Sequence, residues 1–364
     1  MPPFLLSMLR RSLPTALLLV GASALLLLTD RASSARSLPA VAVLQQTSSK
    51  VLEDAVQGML EGLAERGWID GKTVKIKRYN AEGDIAQANA IAREIVGGPF
   101  DMVLTSSTPS LQAVATANAR GRLKHIFAAV ADPFSAGVGL DRSNPLIHPP
   151  HLVGFGSLAP VHATFLIARR VWPTLRRVGV AHCPSESNSR RYMELARASC
   201  KQLDIELLEA PVENSSGVVE AIQSTIGRGA EAIFCPGDTI VISAIDSVIN
   251  TATKAGLPVF TVNPGVAERG TLLDVGFNFE EVGLVAGRLA ADILEGADTT
   301  GMPIRETAHE IPPYLLINRV VAARGKWHVP DDLLKQARIV IETTGRRDYP
   351  EHVLAGPFEE PDGH

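Results

Sequence analysis

Residues 40–63, AVAVLQQTSSKVLEDAVQGMLEGL, carry the pattern from which the rest of the chain is read. Ala40-Val41-Ala42-Val43-Leu44 is a continuous run of small and β-branched residues, which suits a strand buried on both faces. Polar residues interrupt it, and then Leu52, Ala55, Met59 and Leu63 return at helical spacing on one face. A buried strand leading into an amphipathic helix is the unit of a parallel sheet covered by helices.

The unit recurs. Val74 and Ile76 alternate with lysines as on an edge strand, Ile91, Ile95 and Val96 mark a helix, and Asp101 to Thr105 reads as a third strand. Leu111, Val114 and Ala115 continue as a helix, His125 to Val130 as a buried strand, and the Pro- and His-rich residues 141–151 as a loop. A second series runs through strands at Arg177–Ala181, Ile205–Leu208, Ala232–Cys235, Pro258–Thr261 and Thr271–Phe277, with helices near 189–203, 216–226 and 240–255. The expected fold class is α/β, with two doubly wound parallel-sheet lobes built from right-handed crossovers. Residues 36–156 and part of 280–342 are expected in an N-terminal lobe, to which helix Val282–Leu294 and strand Tyr314–Ile317 would return. Residues 157–279 form the C-terminal lobe, and 343–364, rich in Pro, Gly and charge, a loose tail.

At 364 residues and 46% apolar composition the chain is long enough for two globular units. Thirty-five Lys plus Arg against 39 Asp plus Glu give a net charge of -4, which lacks the basic excess of a nucleic-acid binder. Cys183, Cys200 and Cys235 are odd in number and lack Cys-x-x-Cys spacing, so neither a disulfide framework nor a structural zinc site is expected. Residues 1–35 read as an export signal or N-terminal anchor. Arg10 and Arg11 precede the apolar run Ser12–Leu28, and Ala32-Ser33-Ser34-Ala35 offers small residues for cleavage. A periplasmic location follows, with inner-membrane anchoring if the segment is retained.

In open α/β sheets ligands bind beyond the carboxyl ends of the strands, where helix N-termini point N–H groups outward. Three hydroxyl clusters stand there: Gln45-Gln46-Thr47-Ser48-Ser49, Ser106-Ser107-Thr108-Pro109 and Pro184-Ser185-Glu186-Ser187-Asn188-Ser189. Such residues also serve simply as N-caps. Together they offer hydroxyls to a small carboxylate, and Asp132 and Asp238, at similar strand ends, offer a partner for an ammonium. The alternatives are a turn at Asp132 and an N-cap at Asp238.

Catalytic signatures are sparse. There is no Walker-type phosphate loop and no Gly-x-Ser-x-Gly elbow. Gly154-Phe155-Gly156-Ser157-Leu158-Ala159 matches a dinucleotide fingerprint, but Pro173 and Thr174 stand where the ribose-binding acid belongs. His148-Pro149-Pro150-His151 has no neighbouring carboxylate or Cys to complete a metal site. Neither a cofactor nor a metal nor a catalytic residue is expected. Cys183 and Cys235, both following strands, supply the enzymatic alternative of a thiol racemase.

The series Gly62-Leu63-Ala64-Glu65-Arg66-Gly67-Trp68, Asn80-Ala81-Glu82-Gly83-Asp84, Ser107-Thr108-Pro109-Ser110-Leu111-Gln112-Ala113, Val130-Ala131-Asp132-Pro133, Pro184 to Ser189 and Asn214-Ser215-Ser216 resembles the ABC transporter substrate-binding proteins, in the group of tryptophan and tyrosine receptors. The resemblance spans about Val41 to Glu342. It implies a type I periplasmic binding protein, a Venus-flytrap with crossovers near 156–158, 277–281 and 304–311 and a hinge at Gly156, Ser157 and Asn278. It implies capture of a small solute, an amino acid by the site's chemistry, and delivery to an ABC permease; a monomer is expected. The family's binding positions fall on Thr47, Ser48, Ser107, Thr108, Asp132, Ser187, Asn188 and Asp238. The chain departs from its relatives at Thr261-Val262-Asn263-Pro264-Gly265, at Phe279 where Tyr is frequent, and at Cys183 where Asn is common. Phe134, Phe155 and Tyr192 are candidates to cover a ligand ring. A membrane-held sensor of the same fold is the remaining alternative.

Overall fold

The computed structural model describes residues 38–307 and 310–355; the leader segment 1–35 lies outside them. The first sheet has the order β11-β5-β4-β3-β1-β2, all parallel. Its strands are β1 (Ala40–Gln45), β2 (Lys75–Asn80), β3 (Met102–Ser106), β4 (Lys124–Val130), β5 (Leu152–Gly156) and β11 (Arg305–Glu306). Strand β1 is buried on both faces, as its composition requires. Val41 and Val43 pack with Val56, Met59 and Leu63 of helix α1 (Lys50–Glu65). Ala42 and Leu44 pack on the other side with Ala88, Ala92 and Ile95 of α2 (Ile85–Gly97) and Val114 of α3 (Thr108–Ala117).

The second sheet has the order β14-β13-β12-β10-β9-β8-β6-β7. It comprises β6 (Arg177–His182), β7 (Glu206–Pro211), β8 (Ala232–Cys235), β9 (Val259–Thr261), β10 (Leu273–Gly276), β12 (Tyr314–Asn318), β13 (Ala337–Glu342) and β14 (Gly345–Asp348). Helix α4 (Val161–Val171) leads into it from β5, and α5 (Ser187–Gln202), α6 (Val218–Gly227), α7 (Thr239–Ser243) and α8 (Ile245–Lys254) connect strands β6 to β9. Phe165, Phe234 and Phe260 meet in its core at centroid separations of 4.9–5.3 Å.

The chain passes between the sheets three times: after β5, between β10 and α9 (Phe279–Leu294), and between β11 and β12. Helix α9 returns to the first lobe and lies on α1. The contact is made backbone to backbone, because Gly58 and Gly62 of α1 face Gly283 and Gly287 of α9. A Cβ on Gly283 would stand 2.0 Å from the Ala55 carbonyl oxygen, and one on Gly58 2.0 Å from that of Glu280.

Three expectations are corrected. Strand Tyr314–Ile317 does not rejoin the first sheet; it pairs antiparallel with β10, Leu273 opposite Ile317 and Gly276 opposite Tyr314. The edge of the first sheet beside β5 is occupied by the two-residue strand β11, whereas the edge beside β10 is open to an apolar strand. Residues 345–348 are not loose: β14 forms a hairpin with β13, Glu342 opposite Gly345. Gly345-Arg346-Arg347-Asp348 has no apolar alternation to announce a strand, and ion pairs Arg347–Glu342 at 2.9 Å and Arg346–Asp348 at 2.8 Å accompany the pairing. The helix expected over 240–255 is broken at Ala244 into α7 and α8.

Candidate functional site

The carboxyl ends of the two sheets face one another across a narrow cavity of about 50 Å³. Ser49, Ser107, Thr108, Ala129 and Phe279 wall it from the first lobe, and Asn188, Tyr192, Asp238, Thr239 and Asn263 from the second; Ser157 lies at the first crossing. Ser107, Thr108, Asn188, Tyr192 and Asp238 are buried, so the lobes are closed on each other here.

The first-lobe wall is strained. Ser107 has φ +119° and Ala129 φ +53°, conformations that side chains other than glycine rarely adopt. Ser107 is held there by its N–H to Ala128 O at 3.3 Å, while its hydroxyl caps α3 by accepting from Ser110 N at 3.1 Å. The strain turns the start of α3 and its first residue, Thr108, toward the cavity.

On the opposite wall Asp238 is fully buried and caps α7, accepting from Val241 N at 2.9 Å. Its other oxygen accepts from Cys183 N at 2.6 Å, and the Ser189 side chain bonds it as well. The N-cap reading and the cavity-wall reading are thus both realised in one side chain. Glu186, on the same wall but outside the cavity, accepts from Thr239 N at 3.0 Å and from Asn188 Nδ2 at 2.9 Å. Burial and the charge of Asp238 push Glu186 up to about 7. Burial raises Asp238 too, opposed by its hydrogen bonds. With those donors aimed at it, Asp238 carries the charge of the pair and Glu186 the proton.

Two buried polar atoms of the cavity-lining residues lack a hydrogen-bond partner among the described residues: Ser49 Oγ and Asn188 Oδ1. Ser49 begins α1 without capping it, so its hydroxyl is left for another partner.

Of the residues expected at the site, the structure brings Ser107, Thr108, Asn188 and Asp238 to the cavity and leaves four elsewhere. Ser48 is exposed and accepts from Asn80 Nδ2 at 2.8 Å, and Thr47 lines a neighbouring groove with Cys183 and Glu186. Ser187 is buried beside the cavity without lining it. Asp132 forms the turn, accepting from Phe134 N and Ser135 N, and its carboxylate is engaged by Arg142 and, at 3.3 Å, by Arg191 from the other lobe. It is bridged to the other lobe and does not line the cavity. Gly156 and Ser157 lie at the first crossing, and Asn278 at the second, where it caps α9. Of the three candidate rings Tyr192 reaches the cavity, while Phe155 is core and Phe134 lies under Arg142. Ser49, Ala129 and Thr239 also line the cavity without being singled out by the sequence, and Asn263 and Phe279 line it at two of the departures from the relatives. Ser49 follows the first hydroxyl cluster's chosen pair directly, but the distorted backbone at Ala129 leaves no trace in its residue type.

The remaining sequence signals resolve into structure. Gly154 and Gly156 lie within β5, so the apparent fingerprint has no loop with which to cradle a phosphate. His148 bonds the carbonyls of Pro149 and Met302, and among the described residues no cluster of metal donors occurs. Cys183, Cys200 and Cys235 are buried and unpaired, and burial pushes the Cys183 thiol up and the Cys200 thiol to about 12.

Buried ionisable groups also set a pH dependence. Burial pushes Asp274 up to about 8 and Glu306 to about 7, the latter helped by Asp132, so with Glu186 the folded state binds more protons than the unfolded one. Their stabilisation is complete below about pH 4 and is lost as pH rises through 7 to 8. His125, His151, His162 and His182 are lowered by burial and act oppositely, but only below about pH 6.5. The melting temperature is therefore expected to fall from about pH 7 to 9. Asp274→Asn should flatten that fall in a thermal scan, and an unchanged slope would exclude Asp274 as its source.

Two α/β lobes joined by three crossings, with a cavity of mixed apolar and polar lining between their strand ends, define a solute-binding protein of the periplasmic type I fold. Residues 40–341 match the ABC transporter substrate binding protein family, and the chain belongs to it. It is 27% identical over 264 residues to a tyrosine-binding protein of Clostridioides difficile, covering 72% of this chain and 75% of that one. A conserved domain protein of Vibrio cholerae superposes with a TM-score of 0.77 at 29% identity, over 84% of this chain and all of the other. An ABC domain from Streptococcus pneumoniae in complex with L-Trp gives the same TM-score and coverage at 24% identity.

Proposed function

We propose that the protein is the exported receptor of an ABC-type importer, capturing an amino acid between its lobes and presenting the closed form to a membrane permease. The observation that carries this reading is the cavity itself: residues of both lobes line it, among them the Asp238 carboxylate and two residues, Ser49 and Asn188, each with a buried polar atom left without a partner. Asp238 and Asn188 Oδ1 suit an ammonium group, and Thr108 with the N-terminus of α3 suits a carboxylate. Contacts shared by both lobes favour the closed state, which couples binding to closure. The tyrosine-binding relative supports an amino acid as the solute class. Residues 1–35 supply the export signal in this reading.

The thiol-racemase alternative is disfavoured, because the Cys183 and Cys235 thiols are buried, and burial together with the nearby carboxylates holds them protonated. The receptor reading is tested on the chain from Arg36 onward, by native mass spectrometry for a retained solute and a thermal-shift panel of L-amino acids. Saturating ligand is expected to raise the melting temperature by roughly 5–10 °C, and Thr108→Ala to weaken binding by about tenfold. A folded protein that no amino acid stabilises rejects the amino-acid assignment.

A further inference from the structure

The Asn188 amide is oriented by its surroundings. Nδ2 donates to Glu186 Oε2 at 2.9 Å and to Gly237 O at 2.8 Å, two acceptors that cannot be satisfied if the amide is turned over. Oδ1 is thereby left with no partner, on a residue that lines the cavity. Glu186 is itself buried and outside the cavity wall, facing Thr47, Cys183 and Ser185 in the neighbouring groove. The same Oε2 accepts from Thr239 N at 3.0 Å, and Oε1 is bonded to the Thr239 hydroxyl, which ties the start of α7 to the start of α5.

We propose that Glu186 is a positioning residue: by accepting from Asn188 Nδ2 it fixes Asn188 as a hydrogen-bond acceptor toward the cavity, and so selects a ligand that presents a donor there, the ammonium of an amino acid. The inference rests on the amino-acid reading above and adds to it the residue that sets its selectivity. A carboxyl group is suited to this place because it offers one oxygen as acceptor to both Asn188 and Thr239 N while its other oxygen, protonated or not, donates to or accepts from the Thr239 hydroxyl. A glutamine retains the same pattern, its carbonyl oxygen accepting from Asn188 and Thr239 N and its amide nitrogen donating to the hydroxyl. Burial raises Glu186 toward neutrality without altering which atoms accept from Asn188.

The test compares L-tyrosine and L-tryptophan with their desamino analogues, which keep ring and carboxylate and lack the ammonium, by calorimetry on the chain from Arg36 onward. Glu186→Ala is expected to weaken the bound amino acid about tenfold or more, with its desamino analogue changed by less than about threefold. Asn188→Ala should show the same selective loss, and the double variant no further loss, since both remove one interaction. Glu186→Gln should bind within about threefold of the parent, and it decides the question if Glu186→Ala does not fold. An equal loss for both ligand types, additive effects, or failure of the Gln variant to bind overturns the positioning role while the receptor reading stands. If the parent protein binds neither these two nor any other L-amino acid, both fall.

Discussion

Gly283→Ala is expected to lower the melting temperature by roughly 6–12 °C, the opposite of what the substitution does on an open helix face. In a solvated helix alanine is favoured over glycine by about 1 kcal/mol. Here the added methyl would lie 2.0 Å from the Ala55 carbonyl oxygen and 2.9 Å from Met59 N, both backbone atoms that no rotamer change can move. Helix α9 must therefore lift off α1, and the interlocked Gly58, Gly62, Gly283 and Gly287 part together, at a cost of about 3 kcal/mol or more. Helix α9 anchors the second and third crossings on the first lobe, so the loss reaches the hinge. Gly227→Ala provides the control: no atom lies within 4 Å of its added methyl at the end of α6, and a neutral or slightly raised melting temperature is expected. A thermal scan in which the two variants behave alike removes the close-packing explanation.

Asp238→Asn is expected to lower both stability and affinity despite its equal size. The carboxylate accepts from Val241 N on one oxygen and from Cys183 N on the other, with Ser189 as a further donor. An amide must turn its NH2 toward one of those N–H groups, leaving a buried donor facing a donor, at about 1–3 kcal/mol. Because the Cys183–Ser189 loop and the first turn of α7 both hang on this side chain, amino-acid affinity should fall by roughly 100-fold, as the charge facing the ammonium is also removed. Denaturant titration and calorimetry on the same variant check the two effects. Parental values in both would show that Asp238 is neither structural keystone nor ligand partner.

The alternation of apolar strand and amphipathic helix was legible from Ala40 to Phe277 because each strand had to be buried and each helix had to cover it. Site residues were legible in part for a related reason. Positions directly after a parallel strand point to the cleft whatever the sheet's details, and Ser107, Thr108, Asn188 and Asp238 occupy such positions. Thr47 and Ser48 show the limit of that reasoning. Where α1 begins is fixed by how the loop turns, and the turn delivers Ser49. Asp132 shows another limit, since its partner Arg191 lies on the opposite lobe and 59 positions away in the chain could not be paired with it from spacing.

By itself the sequence determined the two α/β series and the strand ends at which a ligand is to be sought, while the three crossings came only through the resemblance to a family. The series and the strand ends follow from local burial and the short connections of a parallel sheet, which leave few alternatives. Only the tertiary structure decided which sheet received Tyr314–Asn318, that four glycines lock α9 to α1, and that the Asn188 amide donates to Glu186 and Gly237 and leaves its oxygen without a partner. Each depends on contacts between distant segments, where a free sheet edge, a missing Cβ or the direction of one hydrogen bond sets the outcome and residue type alone carries no sign of it.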